Sequence, residues 1–122
     1  MWQVSDCLFC KIAEKEVEAE VVYEDEEIVA FKDINPAAPV HILIIPRKHF
    51  DSLVDVQKED AELIGKLHLA ANHLAGVYEI KERGFRVVIN CGQEGGQAIA
   101  HLHLHLLGGK PLNHNIAEGR GV

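Results

Sequence analysis

Between His101 and Leu106 the chain alternates histidine with leucine: His101, Leu102, His103, Leu104, His105, Leu106. Successive side chains of an extended strand point to opposite faces, so the three histidines share one face and the three leucines the other. The leucine face demands burial against a second layer, which restricts the chain to folds in which a sheet is covered. A solvated strand face is ordinarily filled with Lys, Glu or Thr, whereas imidazole repeated at this spacing points to chemistry. Two chemistries remain open at this level. One is a metal-binding face, since His-x-His on a strand supplies two ligands. The other is a nucleophile with acid/base helpers.

The rest of the chain sets bounds on both. With 122 residues and 48% hydrophobic content, a single domain covering 1–122 can bury a core without disulfide staples. A net charge of -7 argues against a nucleic-acid surface, so any phosphorylated ligand is small and held by amides and imidazoles. The longest apolar runs, such as Ile42 to Ile45, are too short to span a membrane, and no stretch resembles a secretory signal. The expected location is therefore cytoplasmic, where cysteines stay reduced. Cys7 and Cys10 form a C-x-x-C that fits a redox pair, half of a zinc site or a coincidence, and it needs two further ligands to become a metal centre. Cys91 stands alone and is expected as a small strand residue.

In chain order, Ser5 or Asp6 can cap a short helix running to about Lys15. Val21 to Glu24 and Glu27 to Lys32 read as a hairpin turning at Asp25-Glu26. A loop stiffened by Pro36 and Pro39 follows, then the apolar strand Val40 to Ile45, closed by Pro46. Arg47 to Val56 is irregular or a short helical turn. From about Gln57 to Tyr78, Leu63, Leu67, Ala70, Ala71, Leu74 and Val77 recur at helical spacing, which predicts one long amphipathic helix. His68 and His73 lie on it as ordinary surface or boundary residues. Phe85 to Asn90 is a strand, and residues 93–97 are a Gly-rich loop leading into the histidine strand. The expected fold is α+β: a five-stranded antiparallel sheet with one long and one short helix.

A neutral imidazole is a competent nucleophile towards phosphorus, and a second imidazole beside it can manage a proton near neutral pH. His103, central in the row, is the natural nucleophile, with His105 and His41 as neighbours. Gly95-Gly96-Gln97-Ala98 could supply consecutive backbone N–H groups as a nest for phosphate oxygens.

His101-x-His103-x-His105-Leu106-Leu107 resembles the signature of the histidine-triad (HIT) family of nucleotide-binding hydrolases and transferases. The similarity extends through Phe31 to Ile34, Pro39 to Pro46 and Asn90 to Gln97, and the Gly96-Gln97 step before the triad looks most like the Hint branch. That resemblance implies a purine nucleotide ligand (AMP or GMP type), no organic cofactor, and a homodimer joining two sheets into one larger continuous sheet. It implies cleavage of the P–N bond of nucleoside 5′-phosphoramidates through a nucleotidyl-histidine on His103, releasing nucleoside monophosphate. The His101 carbonyl would orient His103, and His105 and His41 would contact phosphate and manage protons. Asp33 would hold the ribose, with Phe9, Ile12, Phe31, Ile34 and Leu43 around the base; Asn90, Gly96, Gln97 and Ala98 would hold the phosphate and leaving group. Ala98 departs from the pattern, because well-studied Hint members carry Ser there. The same resemblance implies a structural zinc held by Cys7, Cys10, His49 and His101. Alternatives within reach of the same fold are a dinucleoside polyphosphate hydrolase or nucleotidyl transferase, and a non-catalytic nucleotide-binding dimer.

Overall fold

The computed structural model describes residues 7–112, so the expected cap at Ser5 or Asp6 and the tail from His114 to Val122 lie outside the described residues. Helix α1 spans Leu8–Ala13, β1 Val21–Glu24, β2 Ile28–Lys32, β3 Val40–Pro46, α2 Ala61–Val77, β4 Phe85–Val88 and β5 Leu104–Gly108. The five strands form one antiparallel sheet in the order β1-β2-β3-β5-β4. The α+β architecture read from the pattern is therefore the one observed.

Local chemistry explains where each element starts. The Cys7 thiol caps α1 by accepting the Cys10 N–H at 3.4 Å. In the first hairpin, the Asp25 carboxylate accepts the N–H groups of Glu27 and Ile28, both at 2.8 Å. Glu27 is thereby held in the turn, and β2 begins one residue later than the pattern implies. The long helix likewise begins at Ala61 rather than Gln57, because Lys58–Asp60 forms a 3-10 turn closed by the Gln57 N–H donating to the Asp60 carboxylate at 2.9 Å. A second such turn, Leu53–Asp55, lies in the stretch read as irregular or a short helical turn.

Register sets what each face carries. In β3 and β5, Leu43 lies opposite His105 and Ile44 opposite Leu104. On one face Ile42, Ile44, Leu102, Leu104 and Leu106 pack with Leu67, Ala71, Leu74 and Ala75 of α2. On the other, Val29, Phe31, Leu43 and Ile45 pack with Phe9, Ile12 and Ala13 of α1. The leucines thus anchor the helix-covered layer, and the histidines emerge on the face that α1 covers only in part.

The ladder of β5 begins at Leu104, not His101. Upstream, the Leu102 N–H donates to the Phe50 carbonyl at 2.8 Å, so residues 101–103 leave the sheet while keeping the alternation of side chains. β4 ends at Val88, which places Cys91 in the following loop rather than in a strand.

Leu104 has no exposed surface and sits where the two central strands meet α2. Leu104→Ala should cost about 2–5 kcal/mol of unfolding free energy by lost burial and a residual cavity. Chemical denaturation with an unchanged m-value checks it.

Candidate active site and metal centre

His41, His101, His103 and His105 are all buried. The strands place them: His41 two residues before Leu43 on β3, His105 opposite Leu43 on β5, and His103 just ahead of that strand. The His103 and His105 rings lie 4.9 Å apart, and Phe9 of α1 meets His103 edge-on at 5.0 Å between centroids.

Fixed backbone groups set the tautomers. The Nδ1–H of His103 donates to the His101 carbonyl at 2.7 Å, so the lone pair of His103 is on Nε2. The Ala37 N–H donates to His41 Nδ1 at 2.9 Å, which puts the proton of neutral His41 on Nε2. That proton points to His105 Nδ1 at 2.9 Å, with an Asp33 carboxylate oxygen at 3.5 Å. His105 is then left with an N–H at Nε2. Among the described residues, His105 Nε2 and Asn90 Oδ1 are the buried side-chain polar atoms without a hydrogen-bond partner. An orphaned donor beside a nucleophile-competent imidazole is a place for a ligand oxygen.

Electrostatics keep this cluster uncharged. Burial pushes the His103 pKa down against the opposing effect of its bond to the His101 carbonyl. Burial, then His103 and His41, lower that of His105 to about 3. Burial also lowers His41, although Asp33 pulls the other way. At neutral pH the site offers a neutral nitrogen lone pair and a neutral N–H donor.

The Gly-rich loop is built differently from the nest expected of it. The N–H groups of Gly96 and Gln97 donate to the Gln93 and Gly92 carbonyls, at 3.1 and 3.0 Å, so these two amides close the loop on itself. The Gln97 side chain donates to the carbonyls of Asp51 and Ile99 and accepts from the Gly92 N–H. Asn90 donates to the Gly95 carbonyl at 2.8 Å. Gly95 has no room for a Cβ, which would overlap the Cys91 carbonyl oxygen, and Gly96 has φ +82. Of the residues expected around a base, Phe9, Ile12, Phe31 and Leu43 are brought together in one buried cluster, whereas Ile34 stands 90% exposed.

Cys7, Cys10, His49 and His101 form a second constellation, their ligand atoms all within 4.8 Å of one another. His101 Nδ1 lies 3.3 Å from Cys7 Sγ, 3.5 Å from Cys10 Sγ and 3.1 Å from His49 Nδ1, and His49 Nδ1 lies 3.3 Å from Cys10 Sγ. A tetrahedral site with ordinary zinc bond lengths has N–N edges of about 3.3 Å and S–N edges of about 3.5 Å, so the donor set fits a four-coordinate cation. The far nitrogens agree. His101 Nε2 lies 2.9 Å from the Pro46 carbonyl and His49 Nε2 2.6 Å from an Asp51 carboxylate oxygen, each as an N–H donor. Both Nδ1 lone pairs therefore face inward. Without a cation the Cys10 thiol holds its proton, since burial and then the neighbouring Cys7 push its pKa up to about 12.

Two contributors escaped the sequence reading. Asp51 supports His49, and the Ala37 amide orients His41. No spacing rule marks them, because each acts from a loop through a single hydrogen bond.

The HIT domain family model matches residues 14–112. Protein HitA of Neisseria gonorrhoeae is 50% identical over 105 residues, covering 86% of this chain and 97% of its own. The purine nucleoside phosphoramidase of Escherichia coli K12 is 39% identical over 113 residues, covering 93% of this chain and 95% of its own. A crystal structure of a HIT family hydrolase from Legionella pneumophila superposes with a TM-score of 0.88 at 48% identity, covering 89% of this chain and 97% of that one.

Neutral buried histidines make the fold acid-sensitive. In the unfolded chain His105 titrates near 6.5, but folded it takes a proton only near 3, so stability is lost progressively as pH falls between these values. His41 acts in the same direction. In the presence of chelator, Tm should drop between about pH 7.5 and about pH 4.5, and His105→Asn should remove part of that slope.

Proposed function

The chain belongs to the HIT domain family, and from that premise we propose a nucleotide hydrolase that cleaves nucleoside 5′-phosphoramidates at the P–N bond, with a purine nucleoside as the carried group. The observation that carries this reading is the pairing of a lone pair on His103 Nε2 with an unpartnered N–H on His105 Nε2, 4.9 Å apart between ring centroids. One nitrogen is suited to attack phosphorus, and the other to hold an oxygen of the same phosphoryl group. The kinship with the Escherichia coli phosphoramidase supports the choice of bond.

In the first step the His103 Nε2 lone pair forms a bond to the α-phosphorus, and the P–N bond breaks. The leaving amine departs carrying a proton drawn from water. The His103 Nδ1–H stays on the His101 carbonyl, which stabilises the positive charge that develops on the ring. His105 donates its Nε2–H to a non-bridging oxygen, and His41 serves by fixing the tautomer of His105. In the second step water attacks phosphorus, its proton neutralises the hydroxide left by the first step, the P–His103 bond breaks, and nucleoside monophosphate leaves with the ring restored to neutrality.

We further propose that the Cys7, Cys10, His49 and His101 set holds zinc. The closed set leaves no position for substrate, so the metal would tie α1 to the segment preceding β5 and take no part in bond making. A cytoplasmic homodimer sharing a continuous sheet completes the reading. The shared sheet would need an open edge, and β4 is one of the two edge strands of the sheet.

Intact-protein mass spectrometry after brief mixing with adenosine 5′-phosphoramidate, with an acid-avoiding quench, tests the covalent step. An adduct of one nucleotidyl group is expected on the wild type and none on His103→Ala, whose turnover should fall by about 10⁴-fold or more. Absence of both adduct and released monophosphate over hours would overturn the hydrolase reading for this bond.

A further inference from the structure

The two imidazoles of the metal centre are backed by different groups. His101 donates from Nε2 to a buried main-chain carbonyl, that of Pro46, at 2.9 Å. His49 donates from Nε2 to the carboxylate of Asp51 at 2.6 Å, with its side chain 14% exposed and that of Asp51 61% exposed. A carboxylate behind an imidazole differs from a carbonyl in two ways. It fixes the ring orientation more strongly, through a charge-assisted bond, and it raises the basicity of the opposite nitrogen. For His49 that opposite nitrogen is Nδ1, which faces Cys10 Sγ and His101 Nδ1.

We propose that Asp51 is a positioning residue of the metal centre. Its carboxylate holds His49 as the tautomer whose Nδ1 lone pair points at the cation and strengthens that nitrogen as a ligand. The inference rests on the zinc reading above and adds a residue that is no ligand itself. The main chain at Asp51 is held in turn, because the Gln97 side chain donates to its carbonyl at 2.6 Å and to the Ile99 carbonyl at 2.9 Å. The backing carboxylate is thus carried on a segment braced from the loop that precedes the histidine row. An exposed aspartate on an unbraced loop would swing freely and lose most of this effect.

The test uses the full chain, stripped with chelator, and titrates zinc against a chromophoric competitor. Asp51→Ala should bind zinc about 10- to 100-fold more weakly than wild type. Asp51→Asn, which keeps an acceptor but loses the charge, should fall between the two. Cobalt substitution gives a second readout, because the visible d–d bands of the Asp51→Ala form should shift as the His49 donor weakens. Thermal melts in excess chelator separate ligand support from folding, since wild type and Asp51→Ala should melt together without metal and diverge with it. Equal zinc affinity in wild type and Asp51→Ala overturns the assignment, as does a loss of metal-free stability with affinity unchanged. A wild-type chain that takes up no zinc overturns the metal reading itself, and the role of Asp51 with it.

Discussion

The hydrogen bond from His103 Nδ1 to the carbonyl of His101 joins the two halves of the site. Through its carbonyl, His101 fixes which nitrogen of His103 faces outward. Through its ring, it is one of four converging metal-ligand candidates, and its other nitrogen is anchored on Pro46 at the end of β3. His101 is fully buried, so neither duty can be relaxed by solvent. The segment it occupies lies outside the sheet ladder, and three separate attachments hold it: the imidazole to Pro46, the Leu102 amide to Phe50, and the cluster with Cys7, Cys10 and His49. The nucleophile proposed for this site, carried on an element end, needs this degree of bracing, because a shift of about 1 Å at the reacting atom can cost about 100-fold in rate.

Burial does the rest of the tuning. Imidazoles in water are partly charged near neutrality, and a cluster of four would repel itself and present few lone pairs. Here the low-dielectric surroundings keep the row neutral, and hydrogen bonds anchored on the main chain dictate each proton in turn: the Ala37 amide sets His41, the His41 ring sets His105, and the His101 carbonyl sets His103. The result is one acceptor and one donor side by side, obtained without a charged residue in the row. The net charge of -7 is compatible with the proposed anionic ligand for the same reason: its recognition would depend on short, local, uncharged donors rather than on a long-range field.

Periodic features were legible in the sequence, and features made by single long-range bonds were not. The His/Leu alternation, the apolar run of β3 and the helical spacing of α2 each involve many residues obeying one period, and all three are found in place. The register of β5 was out of reach, because its ladder starts only where the main chain stops bonding to Phe50, a residue remote in sequence. The Gly-rich loop was recognised as special, yet its glycines accommodate the Cys91 carbonyl and an internal turn, with the amides of Gly96 and Gln97 consumed inside it. His49 as a partner of the C-x-x-C came from family resemblance alone, since nothing in its own neighbourhood distinguishes it from a surface histidine. Asp51 was invisible for the same reason.

The bond from the Ala37 amide to His41 has a consequence for how this chain can vary. The orienting group belongs to the main chain, so the identity of the side chain at position 37 carries no information for the histidine row. Drift there should be broad in size and polarity, with one residue shut out: proline, which has no N–H to give. The chain already places prolines at positions 36 and 39, either side of this amide, where they stiffen the loop without touching the donor. Tolerance at residue 37 is thus set by a single hydrogen atom, a constraint that a comparison of side-chain chemistry alone would overlook.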